Sequence, residues 1–163
     1  MIYAGIGATE TPEDVKNTMI RIGKSLALRG HILRSGGARG ADTAFEQGCD
    51  AAGGQKIIYK ADTAYSEAAM ALAVLHHPMG EGLRNYPHRG YLIRDGYQVV
   101  GKKLDQPSDF VVCWTDDGSE GETTRKTRGT GQALRIAYSL GIPIFNLRNA
   151  DSMPRLKAFL HRP

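Results

Sequence analysis

Residues 33–42 read LRSGGARGAD, and this stretch decides the predicted fold. The apolar segment before the glycines indicates a β-strand, and the pattern from Ala41 onward indicates an α-helix. Glycines before a helix let the backbone approach an anion closely. The helix N-terminus adds unpaired N–H groups and partial positive charge. The stretch therefore predicts a strand–loop–helix unit whose loop binds a phosphate group.

The same kind of unit recurs along the chain, with a continuous apolar run, DFVVCW, at residues 109–114. Such a run is typical of a central parallel strand that is covered on both faces. Alternating strands and helices predict an α/β fold: a Rossmann-like, doubly wound, mainly parallel sheet flanked by helices. No internal repeat or linker interrupts the pattern, and we expect one domain over residues 1–163. Strands are predicted at 2–6, 31–35, 56–59, 109–114 and 142–147, and helices at 12–29, 41–52, 66–76, 91–104, 132–140 and 151–161.

The composition of the chain excludes several classes of protein. Hydrophobic residues make up 41% of the 163 residues, which excludes a disordered chain, and the formal charge of +4 suits a polyanionic partner without requiring one. Two cysteines without a CxxC spacing predict neither a disulfide framework nor a zinc site. The sequence shows no signal peptide and no apolar run of about 20 residues, so we expect a cytoplasmic protein.

Glycine-rich segments follow three of the predicted strands: GIGATE, SGGARGAD and the long loop that ends in RGTGQ. In open α/β sheets, ligands bind outside the carboxyl ends of the strands, where the strand order reverses. We therefore expect the three segments to converge. Ser35 would add a hydroxyl and Arg39 a bidentate guanidinium, while Asp42 would either cap the next helix or accept from a sugar hydroxyl.

SGGARGAD is similar to the glycine-rich loop S-G-x-A-R-G-x-D of the DprA/Smf family. GIG near the N-terminus, DFVVCW, and GTGQALRIA followed by GIPIFNL also resemble the wider SLOG superfamily, which includes DprA and the LOG-type phosphoribohydrolases. The resemblance spans most of the chain, and the layout looks closest to short, single-domain DprA-like proteins often found in bacteriophages. It implies a Rossmann-like fold that binds nucleotides or single-stranded DNA. It also implies a homodimer or higher homo-oligomer. If a phage encodes the protein, the expected location is the cytosol of the bacterial host.

The resemblance also implies positions for the site. By position, the ligand- and phosphate-binding residues would be Gly5, Gly7 and Thr9; Ser35, Gly36, Gly37, Ala38, Arg39, Gly40 and Asp42; and Gly129, Thr130, Gly131 and Gln132.

Two further residues are candidates with alternatives left open. Arg94, on the helix before DFVVCW, would reach a phosphate from the side or simply lie on a solvated helix face. Trp114 would stack on a base or be a partly buried edge residue. Histidines at 76, 77 and 88 lack an HExxH motif or paired carboxylates, so we expect no metal and no cofactor.

The sequence departs from the enzymes of the superfamily at one point. LOG-type enzymes carry P-G-G-x-G-T-x-x-E, but here the proline is absent and Leu134 stands where the catalytic glutamate would fall. Cleaving an N-glycosidic bond needs a carboxylate near the ribose, and only Glu120 and Glu122, upstream on the loop, would replace it.

The predicted function is a nucleotide-binding or nucleic-acid phosphate-binding module without membrane association. Its ligand would be a nucleotide, a nucleotide-derived signal or single-stranded DNA. Two alternatives stay open: a nucleotide phosphoribohydrolase, and a recombination-mediator-like protein that binds single-stranded DNA. Leu134 favours binding over catalysis.

Overall fold

Strands and helices alternate along residues 1–162, the part of the chain that the computed structural model describes. The strands are β1 (Ile2–Gly5), β2 (Ile32–Ser35), β3 (Lys56–Ile58), β4 (Phe110–Cys113) and β5 (Ile144–Asn146). The α-helices are α1 (Glu13–Leu28), α2 (Ala41–Ala51), α3 (Glu67–His76), α4 (Arg89–Val100), α5 (Thr130–Ser139) and α6 (Ser152–Leu160), with short 3₁₀ helices at Gly80–Asn85 and Arg125–Thr127. Within these residues, no helix is long and apolar enough to cross a lipid bilayer.

The five strands form one sheet in the order β3-β2-β1-β4-β5, and every neighbouring pair is parallel. Tyr3 of β1 lies opposite Leu33 of β2 on one side and opposite Phe110 of β4 on the other. The strand order thus reverses between β1 and β4. The predicted α/β, Rossmann-like, doubly wound parallel fold is confirmed.

Helices cover both faces of the sheet because successive strand residues point to opposite sides. In β4, Phe110 and Val112 pack into a core cluster with α1, α2 and α6, while Val111 and Cys113 pack into a second cluster with α4 and α5. The whole strand is buried, as the apolar run DFVVCW predicts. A third cluster joins α3 and the 3₁₀ helix at Gly80–Asn85 to α4.

Close packing of α1 against α2 depends on two glycines. A Cβ at Gly23 would lie 2.7 Å from the carbonyl oxygen of Phe45, and one at Gly48 would overlap the carbonyl of Ile20. The two backbones therefore approach more closely than any larger residue allows. This contact sets the position of α2, whose N-terminal end faces the cavity described below.

Arg34 holds the connection between α4 and β4 against the sheet. The residue is 1% exposed, and its guanidinium donates to the backbone carbonyl of Gln106 (2.7 Å), the side-chain oxygen of Gln106 (3.0 Å) and the hydroxyl of Ser108 (3.4 Å). A buried guanidinium is costly unless its donors are used. Residues 101–108 are thus held against β2, which fixes where α4 ends and β4 begins.

Some predicted boundaries are wrong. Helix α1 begins at Glu13, one residue after the predicted start, with Pro12 as its N-cap residue; the hydroxyl of Thr11 donates to the carbonyl of Ala8 (2.6 Å). The helix predicted at 91–104 begins at Arg89 and ends at Val100, because Gly101 takes a positive φ of 78°. The segment 78–90, which lies outside the predicted helices and strands, contains a 3₁₀ helix.

We predict that Gly48→Ala lowers the free energy of unfolding by about 1–3 kcal/mol or more, because the added methyl group overpacks the contact with the backbone of Ile20. Urea denaturation followed by circular dichroism measures the change. Gly82→Ala is the matched control, since no atom lies within 4 Å of a Cβ placed there. Equal stabilities of the two variants would contradict the packing argument.

Candidate functional site

A cavity of about 400 Å³ opens at the point where the strand order reverses. It lies beyond the carboxyl ends of β1 and β4, between α4 and the N-terminal end of α5. The predicted convergence of the glycine-rich segments is confirmed in this arrangement, since each contributes at least one lining residue. The lining residues are Ile6, Gly7, Ala8, Thr9, Glu10, Ala38, Asp42, Tyr91, Leu92, Arg94, Asp95, Gln98, Trp114, Asp116, Lys126, Arg128, Gly129, Thr130 and Ala133.

Backbone hydrogen bonds hold the segment after β1 in the cavity wall. The N–H of Ile6 donates to the carbonyl of Val112 and that of Ala8 to the carbonyl of Trp114, both at 3.1 Å. Gly40 packs against the same segment with a φ of 92°, and a Cβ there would lie 2.6 Å from the carbonyl oxygen of Ala8. Only glycine fits, so Gly40 lets the loop after β2 lie directly on the segment after β1.

The loop after β2 already holds a carboxylate. The N–H of Ala38 donates to Oδ2 of Asp42 (3.3 Å), and Asp42 is 3% exposed. Burial raises the pKa of Asp42 to about 6, although Arg94 and the N–H groups of Ala38 and Gly36 act in the opposite direction. Asp42 thus accepts from the N–H of Ala38, which belongs to the loop that was predicted to bind a phosphate.

Arg94 ties α4 to this loop. Its Nη1 donates to the carbonyl of Gly36 (2.8 Å), while its buried Nε has no hydrogen-bond partner among residues 1–162. A Cβ at Gly36 would lie 2.9 Å from Cζ of Arg94 and 2.8 Å from Oδ2 of Asp42. Gly36 therefore leaves room for the guanidinium and the carboxyl at the back of the cavity.

Asp95 is the second buried carboxyl of the cavity. Burial raises its pKa well above the ordinary value; Arg94 and Arg135 oppose the rise and Asp42 adds to it. The nearest cation, Nε of Arg94, lies 3.8 Å from Oδ1 of Asp95, beyond hydrogen-bonding distance. Burial therefore favours the neutral form of the Asp95 carboxyl.

The mouth of the cavity carries exposed charges. Lys126 and Arg128 come from the loop between β4 and α5, and Glu10 comes from the segment after β1. Nη1 of Arg128 lies 3.6 Å from Oε2 of Glu10, with both side chains more than 60% exposed. An exposed ion pair of this kind contributes about 0–1 kcal/mol, so either partner is readily released to a ligand.

A hydrogen-bonded carboxylate fixes the loop that carries these basic residues. Asp117 accepts hydrogen bonds from the hydroxyls of Thr124 (2.6 Å), Thr115 (2.8 Å) and Thr127, and from the N–H of Ser119 (3.2 Å). Burial alone would raise the pKa of Asp117, but these hydrogen bonds outweigh it and lower the pKa to about 2. Asp117 thereby positions Lys126 and Arg128 at the mouth.

The structure brings half of the predicted site residues into the cavity wall. The eight that line it are Gly7, Thr9, Ala38, Asp42, Arg94, Trp114, Gly129 and Thr130. The eight that do not are Gly5, Ser35, Gly36, Gly37, Arg39, Gly40, Gly131 and Gln132.

Two polar side chains outside the cavity are used within the protein. The hydroxyl of Ser35 is fully buried and donates to the carbonyl of Gly5 (2.6 Å), so it links β2 to β1 and is not free for an anion. The amide of Gln132 is fully buried, donates to the carbonyl of Ala73 (3.0 Å) and accepts from Arg135 (2.8 Å). Arg39, in contrast, is exposed on the loop next to Ala38.

None of the residues considered for catalysis near α5 places a carboxylate in the cavity. Leu134 is fully buried in the core beneath α5. Glu120 forms an ion pair with Arg155 (2.6 Å) and accepts from the N–H of Asn146 (2.9 Å), so it holds β5 to the neighbouring loop. Neither Glu120 nor Glu122 lines the cavity.

Trp114 lies between the core and the cavity, and its stacking on a base stays a prediction. It is 6% exposed and packs into the core cluster with α1 and α2, while part of its surface lines the cavity. Arg94, with a side chain 12% exposed, lines the cavity and is not on a solvated helix face.

Several residues that line the cavity were not among the site residues predicted from the sequence. Asp95 and Gln98 share a helix face with Tyr91 and Arg94, and that spacing was visible in the sequence as the signal of a common face. The 3₁₀ turn that presents Lys126 and Arg128 had no comparable signal.

Comparisons with known proteins bear on the fold. No protein-family model matches the chain, and no curated protein matches its sequence. The solved structure of DNA processing protein A from Helicobacter pylori, described as binding single-stranded DNA, is similar with a TM-score of 0.58 at 18% sequence identity. The match covers 100% of this chain and 74% of that chain. The chain therefore has a DprA-like fold, as the SGGARGAD resemblance implies.

We predict that Asp117→Asn lowers the free energy of unfolding at pH 7 by about 1–3 kcal/mol, because the amide cannot accept all the hydrogen bonds of the carboxylate. The folded pKa of Asp117 lies below the unfolded value of about 3.9, so the ionised group stabilises the fold above pH ~4. The difference from wild type should shrink as pH falls from about 4 towards 2.

Urea unfolding of both proteins at pH 7, 5 and 3 tests this prediction. Asp116→Asn is the control, because Asp116 is the exposed neighbour and its substitution should change stability by less than about 0.5 kcal/mol. A difference for Asp117→Asn that does not change with pH would contradict the role of the carboxylate.

Proposed function

We propose that the chain is a nucleotide-binding module that takes one nucleoside monophosphate unit, either free or within single-stranded DNA, into the cavity between β1 and β4. The observation that carries the proposal is a cavity at the strand-order reversal that has the exposed Lys126 and Arg128 at its mouth and the largely buried Arg94, Asp95 and Gln98 at its back. Its volume of about 400 Å³ is in the range of small-molecule sites, roughly 300–1,000 Å³.

The phosphate belongs at the mouth. Lys126 and Arg128 are exposed there, Thr9 and Thr130 add hydroxyl groups, and Gly129 and Thr130 form the N-terminal end of α5. At the back, Asp42 and Asp95 would repel a phosphate when ionised, whereas Lys126 and Arg128 at the mouth attract it. This orientation moves the expected phosphate position from SGGARG to the RGTG segment.

The nucleoside belongs at the back. A base is uncharged and carries hydrogen-bonding edges, so it suits a buried site that offers Arg94, Asp95 and Gln98. Trp114, and Tyr91 with 54% of its surface exposed, add aromatic surface to the wall, and base–aromatic stacking is worth about 1–3 kcal/mol per base. The DprA-like fold and the DNA binding described for the Helicobacter pylori protein support a nucleotide unit as the ligand.

We predict that replacing Lys126 and Arg128 together by alanine weakens binding of nucleoside monophosphates and of a mixed-sequence single-stranded oligonucleotide by about tenfold or more. Isothermal titration calorimetry measures the first and fluorescence anisotropy the second. Lys24→Ala/Lys103→Ala is the control, since it removes two exposed lysines that do not line the cavity. Equal losses in both double variants would contradict the proposed phosphate site.

Substitution of Arg39 distinguishes a free nucleotide from single-stranded DNA as the ligand. It is exposed next to Ala38 and does not line the cavity, so a mononucleotide does not reach it, whereas a strand that continues beyond the cavity does. If the ligand is single-stranded DNA, Arg39→Ala weakens oligonucleotide binding and leaves mononucleotide binding unchanged. Oligonucleotide affinity should then fall steeply as salt increases. Oligonucleotide affinity that is no tighter than that of a mononucleotide, and flat with salt, identifies a free nucleotide.

A second candidate function is hydrolysis of the N-glycosidic bond, and the pair of buried carboxyls favours it. Burial raises the pKa of both carboxyls, to about 6 for Asp42, and a carboxyl with a raised pKa is suited to donate or accept a proton during cleavage. Incubation with each of the common nucleoside monophosphates, followed by chromatography for free base, tests the activity. Absence of any released base removes this candidate and leaves the binding module.

Further parts of the proposal rest on the SGGARGAD resemblance. They are membership of the DprA/Smf group of the SLOG superfamily as a short phage-type protein, a single domain over residues 1–163, a cytoplasmic location and a homodimer. Light scattering coupled to size-exclusion chromatography tests the dimer: twice the chain mass of 17.7 kDa supports it, and the monomer mass removes it.

A further inference from the structure

A groove separates α1 from α6 on the face of the sheet that these two helices cover together with α2. It has a volume of about 240 Å³ and is lined by residues within 18–29 and 153–161. The lining residues recur at i, i+3, i+4, i+7 and i+8 in each segment, so each helix turns one side towards the groove. Within residues 1–162, the groove shares no lining residue with the cavity between β1 and β4.

The floor of the groove is aliphatic. Ile22 and Leu26 of α1 and Leu156 of α6 are buried at the floor, and Met153 and Leu160 are half-buried beside them. The volume of the groove lies below the range of about 300–1,000 Å³ that is typical of small-molecule sites. The groove is therefore better suited to apolar side chains of a partner than to a free small molecule.

The rim of the groove is basic. Arg21, Arg29 and Lys157 are exposed there together with His161, and no aspartate or glutamate among residues 1–162 lines the groove. Within the same part of the chain, neither the two arginines nor the lysine forms an ion pair with a carboxylate. The groove thus combines an apolar floor with positive charge that the described chain does not neutralise.

Other basic side chains of the protein are neutralised locally. Lys56, Arg84 and Arg155 each form ion pairs with two carboxylates. Like charges around one depression repel one another, and complementary charge on a partner removes that repulsion. The unpaired cations at the rim of the groove therefore favour a partner that brings carboxylates to them.

The chemistry of the floor favours a peptide over a nucleic acid. Single-stranded nucleic acids bind proteins by stacking their bases on aromatic side chains, and no aromatic side chain among residues 1–162 lines the groove. An aliphatic groove between helices instead receives the apolar side chains of an amphipathic segment. A segment of a second copy does not supply this pattern: each exposed large apolar side chain among the described residues has at most one acidic residue within two positions.

We propose that the groove between α1 and α6 is a docking site for an acidic peptide segment of another protein. The segment inserts large apolar side chains between the two helices and pairs its carboxylates with Arg21, Arg29 and Lys157. The inference does not depend on the proposed function, because the groove and the cavity have no lining residue in common among residues 1–162.

Selection from a displayed library of random peptides about 12 residues long, or about three helical turns, tests the proposal without assuming a sequence. Wild-type protein should enrich peptides that combine several aspartates or glutamates with large apolar residues at helical spacing. Arg21→Glu/Lys157→Glu should not enrich them, because it reverses charge on both sides of the groove and leaves the aliphatic floor intact. Lys24→Glu/Lys103→Glu is the matched control, since it reverses two exposed lysines that do not line the groove.

Fluorescence anisotropy then measures the affinities of the enriched peptides, and circular dichroism checks that each variant is folded. Affinity should fall about tenfold or more in Arg21→Glu/Lys157→Glu and change less than about twofold in the control. Arg21→Gln/Lys157→Gln, which only neutralises the same two charges, should give an intermediate loss.

Three results would overturn the proposal: no enriched peptide, enriched peptides without acidic residues, or equal affinities for wild type and the charge-reversed and neutralised variants. It is also overturned if charge reversal leaves peptide binding intact but removes binding of a mixed-sequence oligonucleotide or of phosphatidylserine vesicles. The basic rim would then serve a nucleic acid or a membrane surface.

Discussion

Parallel pairing of β1 with β2 on one side and β4 on the other is the constraint on which the rest of the molecule depends. The chain leaves β1 towards β2 and β3, then crosses back to β4, so the connections after β1 and β4 diverge. The divergence opens a crevice at the carboxyl ends of the two strands. The close contact of α1 with α2 and the buried Arg34 hold the surrounding helices, and the cavity is the space that remains.

The chemistry of the cavity follows from unequal exposure of its charges. Asp42 and Asp95 are buried, while Lys126 and Arg128 are exposed on a loop that Asp117 holds. Burial raises the pKa of the two carboxyls, whereas the basic side chains lie in solvent. A ligand with an anionic end and an uncharged, hydrogen-bonding end fits this distribution, and a nucleoside monophosphate has both. The carboxyl of Asp42 explains why the loop after β2 is less suited to phosphate than its glycines indicate.

The sequence predicted the alternation of elements, the parallel sheet and the convergence of three glycine-rich segments, because hydrophobic periodicity and glycine before helices are local signals. It did not predict where side chains point. Ser35 and Gln132 have the right chemistry for a phosphate, but each is bound to a backbone carbonyl in the interior. A solvated helix face was left open for Arg94, and Asp95 and Gln98 were not selected, since only the packed position of α4 shows that this face is covered. Such information depends on tertiary packing and not on the local pattern.

Titration of isotopically labelled protein with adenosine monophosphate, followed by amide resonances in two-dimensional NMR, tests the central claim most directly. If the cavity is the nucleotide site, resonances of residues 7–10, 94–98 and 128–130 shift together with one dissociation constant, and those of α6 do not move. Shifts confined to the opposite face of the sheet, around α1 and α6, or no shifts at millimolar nucleotide, would contradict the account.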